Sequence, residues 1–297
     1  MVLSDMSAKV PDYDGIMCQL CYAKSSPWMA RRGFLLAAAA TAATAATPVL
    51  AQVDVGPPSR MRGLVPADQI EAASRQQYAQ MMEKARAQNA LAPESHPQLQ
   101  RLRAISTRLI AHTAKWNDRA RTWQWEVNLI GSKQINAFCM PGGKIAVFTG
   151  ILDQLKLTDD ETAMVVGHEM AHALREHARA RIAKSQGTGT ALSIGAQLLG
   201  LGSLGDVAAN IGTQLLTLRF SREDETDADL VGLELASRAG FNPDASVSLW
   251  EKMGRAKEGS GGPGFLSTHP TGPDRIRQLQ ESVPKVRGLY QQAVARR

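Results

Sequence analysis

The sequence predicts an α+β fold, mostly helical, with a small antiparallel sheet, and three observations carry that prediction. Aromatic residues are sparse at 5% while hydrophobic residues reach 44%, so the core is built from aliphatic and alanine side chains, as helix packing favours. From about residue 67 onward, helical patterns bounded by caps and prolines take up most of the chain. Only the segment around 123–149 has strand character. The 297 residues suffice for one large domain or two small ones. Ordinary composition excludes collagen-like and wholly disordered chains. The net charge of +6 is spread over singly placed basic residues, a solvated surface rather than a nucleic-acid patch.

Residues 52–66, with Pro57, Pro58 and Pro66, read as a loose leader. Helices are expected at about 67–90 and 97–115, separated by Pro93 and Pro97. Trp123, Trp125, Val127 and Leu129 alternate with Gln124, Glu126 and Asn128, the period of a half-buried strand. Two short strands, 134–139 and 144–149, flank the turn Met140-Pro141-Gly142-Gly143. A long helix is predicted over 159–185. Thr158 caps it and Glu161 completes a capping box, with Gly187 as its stop. The stretch 188–217 is low in charge and rich in Gly, Leu, Ala and Ser. It reads as a buried helical element or as a peripheral contact with a membrane surface. Ser221 opens a helix ending at Gly240, Pro243-Asp244 start another, and the tail after Pro273 is helical with a break at Pro284. Residues 67–297 are thus expected to form a single domain.

The first 51 residues read as an address. Arg31-Arg32 precede an apolar run of 15 residues, Gly33–Thr47, and the small residues Val49 and Ala51 mark a cleavage site near Ala51. The run is too short for a transmembrane span of about 20 apolar residues. Arg-Arg-Gly-Phe-Leu resembles a twin-arginine export signal, with Ala30 and Leu36 departing from its pattern. A periplasmic or secreted product is expected. The long segment before the arginines fits a translation start at Met29 as well as at Met1, and a start at Met29 would leave out Cys18 and Cys21. The mature chain would then hold one cysteine, Cys139.

His168-Glu169-Met170-Ala171-His172 lies inside the helix expected at 159–185. Side chains four apart stand one turn above another, so both imidazoles can reach one ion. Zinc takes nitrogen and oxygen donors at about 2.0–2.2 Å in a tetrahedron and keeps one position open for water in a catalytic site. Glu169 is rotated about 100° from His168, beside that position and able to take a proton from the water. With 6 His and 13 Glu in 297 residues, chance supplies His-Glu-x-x-His about 0.005 times. A third ligand must come from another element. In Ser221-Arg222-Glu223-Asp224-Glu225-Thr226-Asp227-Ala228-Asp229, Glu225 and Asp229 share a helix face. Glu225 can complete the site for one Zn²⁺ per chain, while Asp229 accepts from the far nitrogen of a ligand histidine. His177 falls half a turn out of phase with His168 and is expected to be no ligand.

These motifs resemble the zinc metallopeptidase family that includes the bacterial proteases HtpX and BepA and the eukaryotic CAAX prenyl endopeptidase. Asn136-Ala137-Phe138 with Pro141-Gly142-Gly143 is similar to its cleft-side signature, His168–His172 to its zinc helix, and Ser221-Arg222 with Glu225 and Ala228-Asp229 to its third-ligand helix. Ser267-Thr268-His269-Pro270 with Arg275-Ile276 resembles its closing motif. The resemblance spans about 120–280 and implies a zincin-like metalloprotease domain, its sheet beside the zinc helix. It further implies that His269 can approach the zinc at rest and that Arg275 is a candidate oxyanion donor. Asn136, Ala137 and Phe138 are expected to bind substrate as a strand edge to which an extended peptide adds. Unfolded or misassembled proteins in the cell envelope are the expected substrates. No counterpart is expected here for the membrane spans of HtpX and the prenyl endopeptidase or for BepA's repeat domain, so the prenyl-protein substrate and the partner-docking surface of those relatives are not expected to transfer. Two rivals remain: a chaperone-like binding protein with zinc latched by His269, and a membrane-surface module built on 188–217.

Overall fold

The computed structural model describes residues 53–185, 218–259, 265–269 and 274–296. The expected export signal, the 188–217 stretch and Gly187 lie outside them. Helices α1 (Ala67–Ala87) and α2 (Pro97–Ile110) lead into strands β1 (Glu126–Ile130), β2 (Ala137–Met140) and β3 (Lys144–Phe148). There follow α3 (Thr149–Gln154), α4 (Asp159–Leu174), α5 (His177–Ser185), α6 (Arg222–Arg238), α7 (Ala245–Gly259), the short α8 (Phe265–Thr268) and α9 (Arg275–Ala295). Among the described residues no helix is long and apolar enough to cross a membrane.

The sheet is mixed, not antiparallel, in the order β1-β3-β2. β2 and β3 form the expected hairpin, Phe138 opposite Ala146, but β1 runs parallel to β3 with Val127 opposite Ile145. The chain crosses from β1 past the place β3 will take, which leaves β2 as a sheet edge. Gly142 and Gly143 turn the hairpin at φ of 84° and 79°. A Cβ on Gly143 would stand 2.7 Å from the Trp125 ring, so the turn needs glycine for space as well as conformation. The strand alternation serves two covered faces. Val127, Leu129, Ala137, Cys139, Ile145 and Val147 join the main helical core, while Ile130, Met140 and Ala146 pack with Tyr78 and Met82 of α1. Asn128, expected to face solvent, is buried and hydrogen-bonded to the Tyr78 hydroxyl at 3.2 Å.

The α4 capping box forms as expected, Thr158 Oγ1 accepting from Glu161 N and Glu161 Oε2 from Thr158 N. The single long helix over 159–185 does not. It breaks after Leu174, where Glu176 takes φ 57°, and its carboxylate is held by Arg62 and Arg179. Ser221 caps α6 with Asp224 in the reciprocal position. α4 and α6 meet backbone to backbone: a Cβ on Gly232 would lie 2.7 Å from His168 N. That closeness lets short carboxylate side chains of α6 reach the histidines of α4.

Two other expectations fail. Pro284 lies inside α9 without ending it. Leu279, Val283, Val286 and Leu289 are buried at helical spacing, and their packing outweighs one missing backbone hydrogen bond. The leader, over its described part, is anchored. Val53 is buried and its N–H donates to Glu234 Oε2 at 3.1 Å. Glu234 is also paired with Lys115 and Arg238. Burial would raise the Glu234 pKa, but those cations and the Val53 amide hold it low.

Candidate metal centre

α4 presents His168, Glu169 and His172, α6 presents Glu225 and Asp229, and the C-terminal end of α8 presents His269, all buried. His168 Nε2 is 3.1 Å from His172 Nε2 and 3.3 Å from His269 Nδ1. The Glu225 carboxylate lies 3.6 Å from His168 Nε2, 3.5 Å from His172 Nε2 and 3.0 Å from His269 Nδ1. A tetrahedron with metal–ligand bonds of 2.0–2.1 Å has edges of about 3.3 Å. Three nitrogens and a carboxylate at edge-like spacing form a donor set that fits zinc, and these four residues are the metal-competent group among the described residues.

The protonation pattern agrees. His168 Nδ1 lies 3.0 Å from Asp229 Oδ1. A carboxylate can only accept, so Nδ1 carries the proton and Nε2 is left as a lone pair. Burial lowers the His172 pKa well below its ordinary value, keeping the ring neutral as a ligand must be. Burial would raise the Glu225 pKa, but the polar surroundings, His269 Nδ1 at 3.0 Å among them, bring it far below the carboxylate range. Phe220 stacks on His172 with centroids 3.9 Å apart, and Phe265 on His269 at 4.3 Å. Phe265 N donates to Ile135 O at 2.8 Å, tying the His269 turn to the start of the edge strand.

Glu169 stands apart from the four donors. It lines a cleft of about 250 Å³ together with Asn136, Ala137, Phe138, Cys139 and His269. Its Oε1 has no hydrogen-bond partner and lies 3.4 Å from His269 Nε2. Burial raises its pKa, with the nearby histidines opposing. A buried carboxylate with an oxygen free of hydrogen bonds, facing a cleft beside the ligand set, is placed for proton transfer.

Arg275 departs from the expected role of oxyanion donor. Nη1 donates to Glu225 Oε2 at 2.9 Å, Nη2 to Asp229 Oδ1 at 2.7 Å, and Nε is 2.6 Å from Asp229 Oδ2. The Trp250 ring covers the guanidinium at 3.3 Å. Both of its terminal nitrogens donate to carboxylates behind the histidines, so it is a positioning group. Burial would raise the Asp229 pKa, and the Arg275 charge holds it down. Sequence reasoning also missed His177, Asp227 and the Gly167–Gly232 contact. The glycines leave no periodic signal, and the two polar residues are recognisable only after the helix break is known.

A helix-borne His-Glu-x-x-His joined by a glutamate from a second, capped helix defines a metal-dependent hydrolase centre of the zincin kind. The chain belongs to peptidase family M48, whose family model matches residues 98–283, and the peptidases of this family use zinc. Over 196 residues it is 38% identical to the mitochondrial metalloendopeptidase OMA1 of Schizosaccharomyces pombe, covering 65% of this chain and 55% of that one. It is 30% identical over 152 residues to metalloprotease LoiP of Escherichia coli, covering 50% and 59%. It is 27% identical over 206 residues to the beta-barrel assembly-enhancing protease of Escherichia coli, covering 65% and 40%. The matches with OMA1 from fission yeast, Arabidopsis thaliana and Saccharomyces cerevisiae span 55%, 31% and 50% of those proteins.

Proposed function

We propose that the chain is a zinc-dependent endopeptidase that cleaves unfolded or misassembled proteins in the cell envelope. The observation that carries this is the convergence of three imidazoles and one carboxylate at tetrahedral-edge spacing, with Glu169 Oε1 free of hydrogen bonds beside them in the adjoining cleft. His168, His172 and Glu225 would hold the zinc, one per chain. The ion supplies Lewis acidity, polarising the scissile carbonyl and making water a stronger acid. Glu169 takes a proton from the attacking water and hands it to the leaving amine. His269 holds the fourth corner in a resting arrangement and withdraws to admit substrate. Arg275 keeps Glu225 and Asp229 in place.

β2 is proposed as the substrate-binding edge. Phe148 N donates to Asn136 O, so the pairs 136/148 and 138/146 are the hydrogen-bonded ones, and the backbone groups of Ala137 and Cys139 point to the open side. The Ala137 amide is taken by the Asn136 side chain at 3.0 Å, which leaves Cys139 N–H for an incoming strand. Export as the route to the envelope rests on Arg31-Arg32 and the apolar run behind them.

Casein cleavage tests both parts together. Wild-type protein should cleave casein, lose the activity to a zinc chelator and regain it with added zinc. Cys139→Pro, which removes an amide that no sheet partner needs, should raise KM about fivefold, the equivalent of one hydrogen bond of about 1 kcal/mol. A wild type that binds zinc without cleaving would favour a zinc-latched binding protein. Unchanged KM in Cys139→Pro would remove the edge from the account.

A further inference from the structure

His168 is oriented by a carboxylate directly, and His172 is not. The Nδ1 of His172 lies 3.0 Å from the Nδ1 of His177, and His177 Nε2 lies 3.1 Å from Asp227 Oδ2. Two ring nitrogens in contact away from the metal position need one proton between them. Asp227 can only accept, so the His177 proton sits on Nε2 and, in the neutral ring, Nδ1 is a lone pair. His172 must then donate from Nδ1, which leaves its Nε2 unprotonated toward His168 and Glu225. Asp227 is fixed in turn by Arg175, whose Nε donates to the same Oδ2 at 2.7 Å. The second arm of Arg175 holds the carbonyl of Gly56 at 2.9 Å. The His177 and Arg175 side chains are each 5% exposed and that of Asp227 is 16% exposed, so water competes little for these bonds.

The backbone explains why the pair can meet. In an unbroken helix, residues five apart are separated by about 140° around the axis, and His177 would point away from His172. The break after Leu174, with Glu176 in the left-handed region, resets the phase and returns His177 to the ligand. Glu176 is pinned there by Arg62 from before α1 and by Arg179 of α5. α6 thus supplies both orienting carboxylates, Asp229 in direct contact with one ligand and Asp227 acting on the other through an interposed imidazole.

We propose that Asp227 and His177 form a positioning relay that fixes the tautomer and ring angle of His172, and so sets the affinity of the centre for zinc. This rests on the metal-centre reading above. The test is zinc affinity by competition with a chromogenic chelator, with the absorption bands of the cobalt-substituted protein as a second readout. His177→Leu fills the space without an acceptor and should weaken zinc binding about 10–100-fold and shift the cobalt bands. His177→Asn offers an amide oxygen near the place of Nδ1 and should stay within about threefold of wild type, a rescue expected because that oxygen can accept the His172 proton. Both variants lose the Asp227 contact, so any difference between them belongs to the bond with His172. If His177→Leu does not fold, Asp227→Ala takes its place and should also weaken zinc binding and shift the bands. Wild-type affinity in His177→Leu or in Asp227→Ala, or equal losses in the Leu and Asn variants, would overturn the relay. A wild type that takes up no zinc would instead sink the metal centre itself, and the relay with it.

Discussion

Glu169→Gln should retain one zinc per chain and lose about 10²–10⁴-fold in kcat/KM on a peptide substrate, the range of general acid–base catalysis. The amide matches the carboxylate in shape, and Glu169 is not among the four residues that converge as donors. Zinc content and fold should therefore stay as in wild type. Proton transfer should not, because an amide cannot accept the proton that Glu169 takes from water. Burial already raises the pKa of this group, so replacing it with a neutral amide carries little electrostatic cost. The check is metal analysis and steady-state kinetics on the same preparation. Full activity in the variant would refute Glu169 as the base, and loss of zinc would show it to be part of the ligand set.

The second large effect is expected at Arg275, and it falls on stability as well as rate. Arg275→Met keeps a long apolar stem against Trp250 but removes the cation between Glu225 and Asp229. Two buried carboxylates would then lack their partner, a loss of about 3–5 kcal/mol for a buried pair broken from one side. The zinc-free protein should show that loss in a denaturant melt. With zinc bound the loss should shrink, because the ion neutralises Glu225. An arginine whose work was oxyanion stabilisation would leave the zinc-free melt unchanged and lower kcat alone. That result would restore the role the family resemblance implied.

Much of this site was legible because its chemistry is periodic. His168 and His172 are one turn apart, Glu225 and Asp229 likewise, and in both helices a capping motif marks the start. The structure brings these residues together. What stayed hidden depends on contacts that no local pattern encodes. The parallel pairing of β1 with β3 follows from which side of β3 the chain passes, a choice set by α1 and the helical core rather than by strand residues. The interruption at Glu176 rests on arginines 114 and 3 residues away in sequence, so a helix extrapolated from composition runs straight through it. The place of His177 is hidden for the same reason: its phase along an unbroken helix points away from His172, and the helix does not continue. Arg275 could be placed near the site from its motif, but its partners could not be read without knowing that Trp250 closes one side of it.

The most direct test is a zinc-edge anomalous difference map from a crystal of the zinc-loaded protein. One peak is expected, about 2.0–2.2 Å from His168 Nε2, His172 Nε2 and a Glu225 oxygen. A map from zinc-saturated protein with no peak there, or with Glu225 turned away from the ion, would contradict that placement.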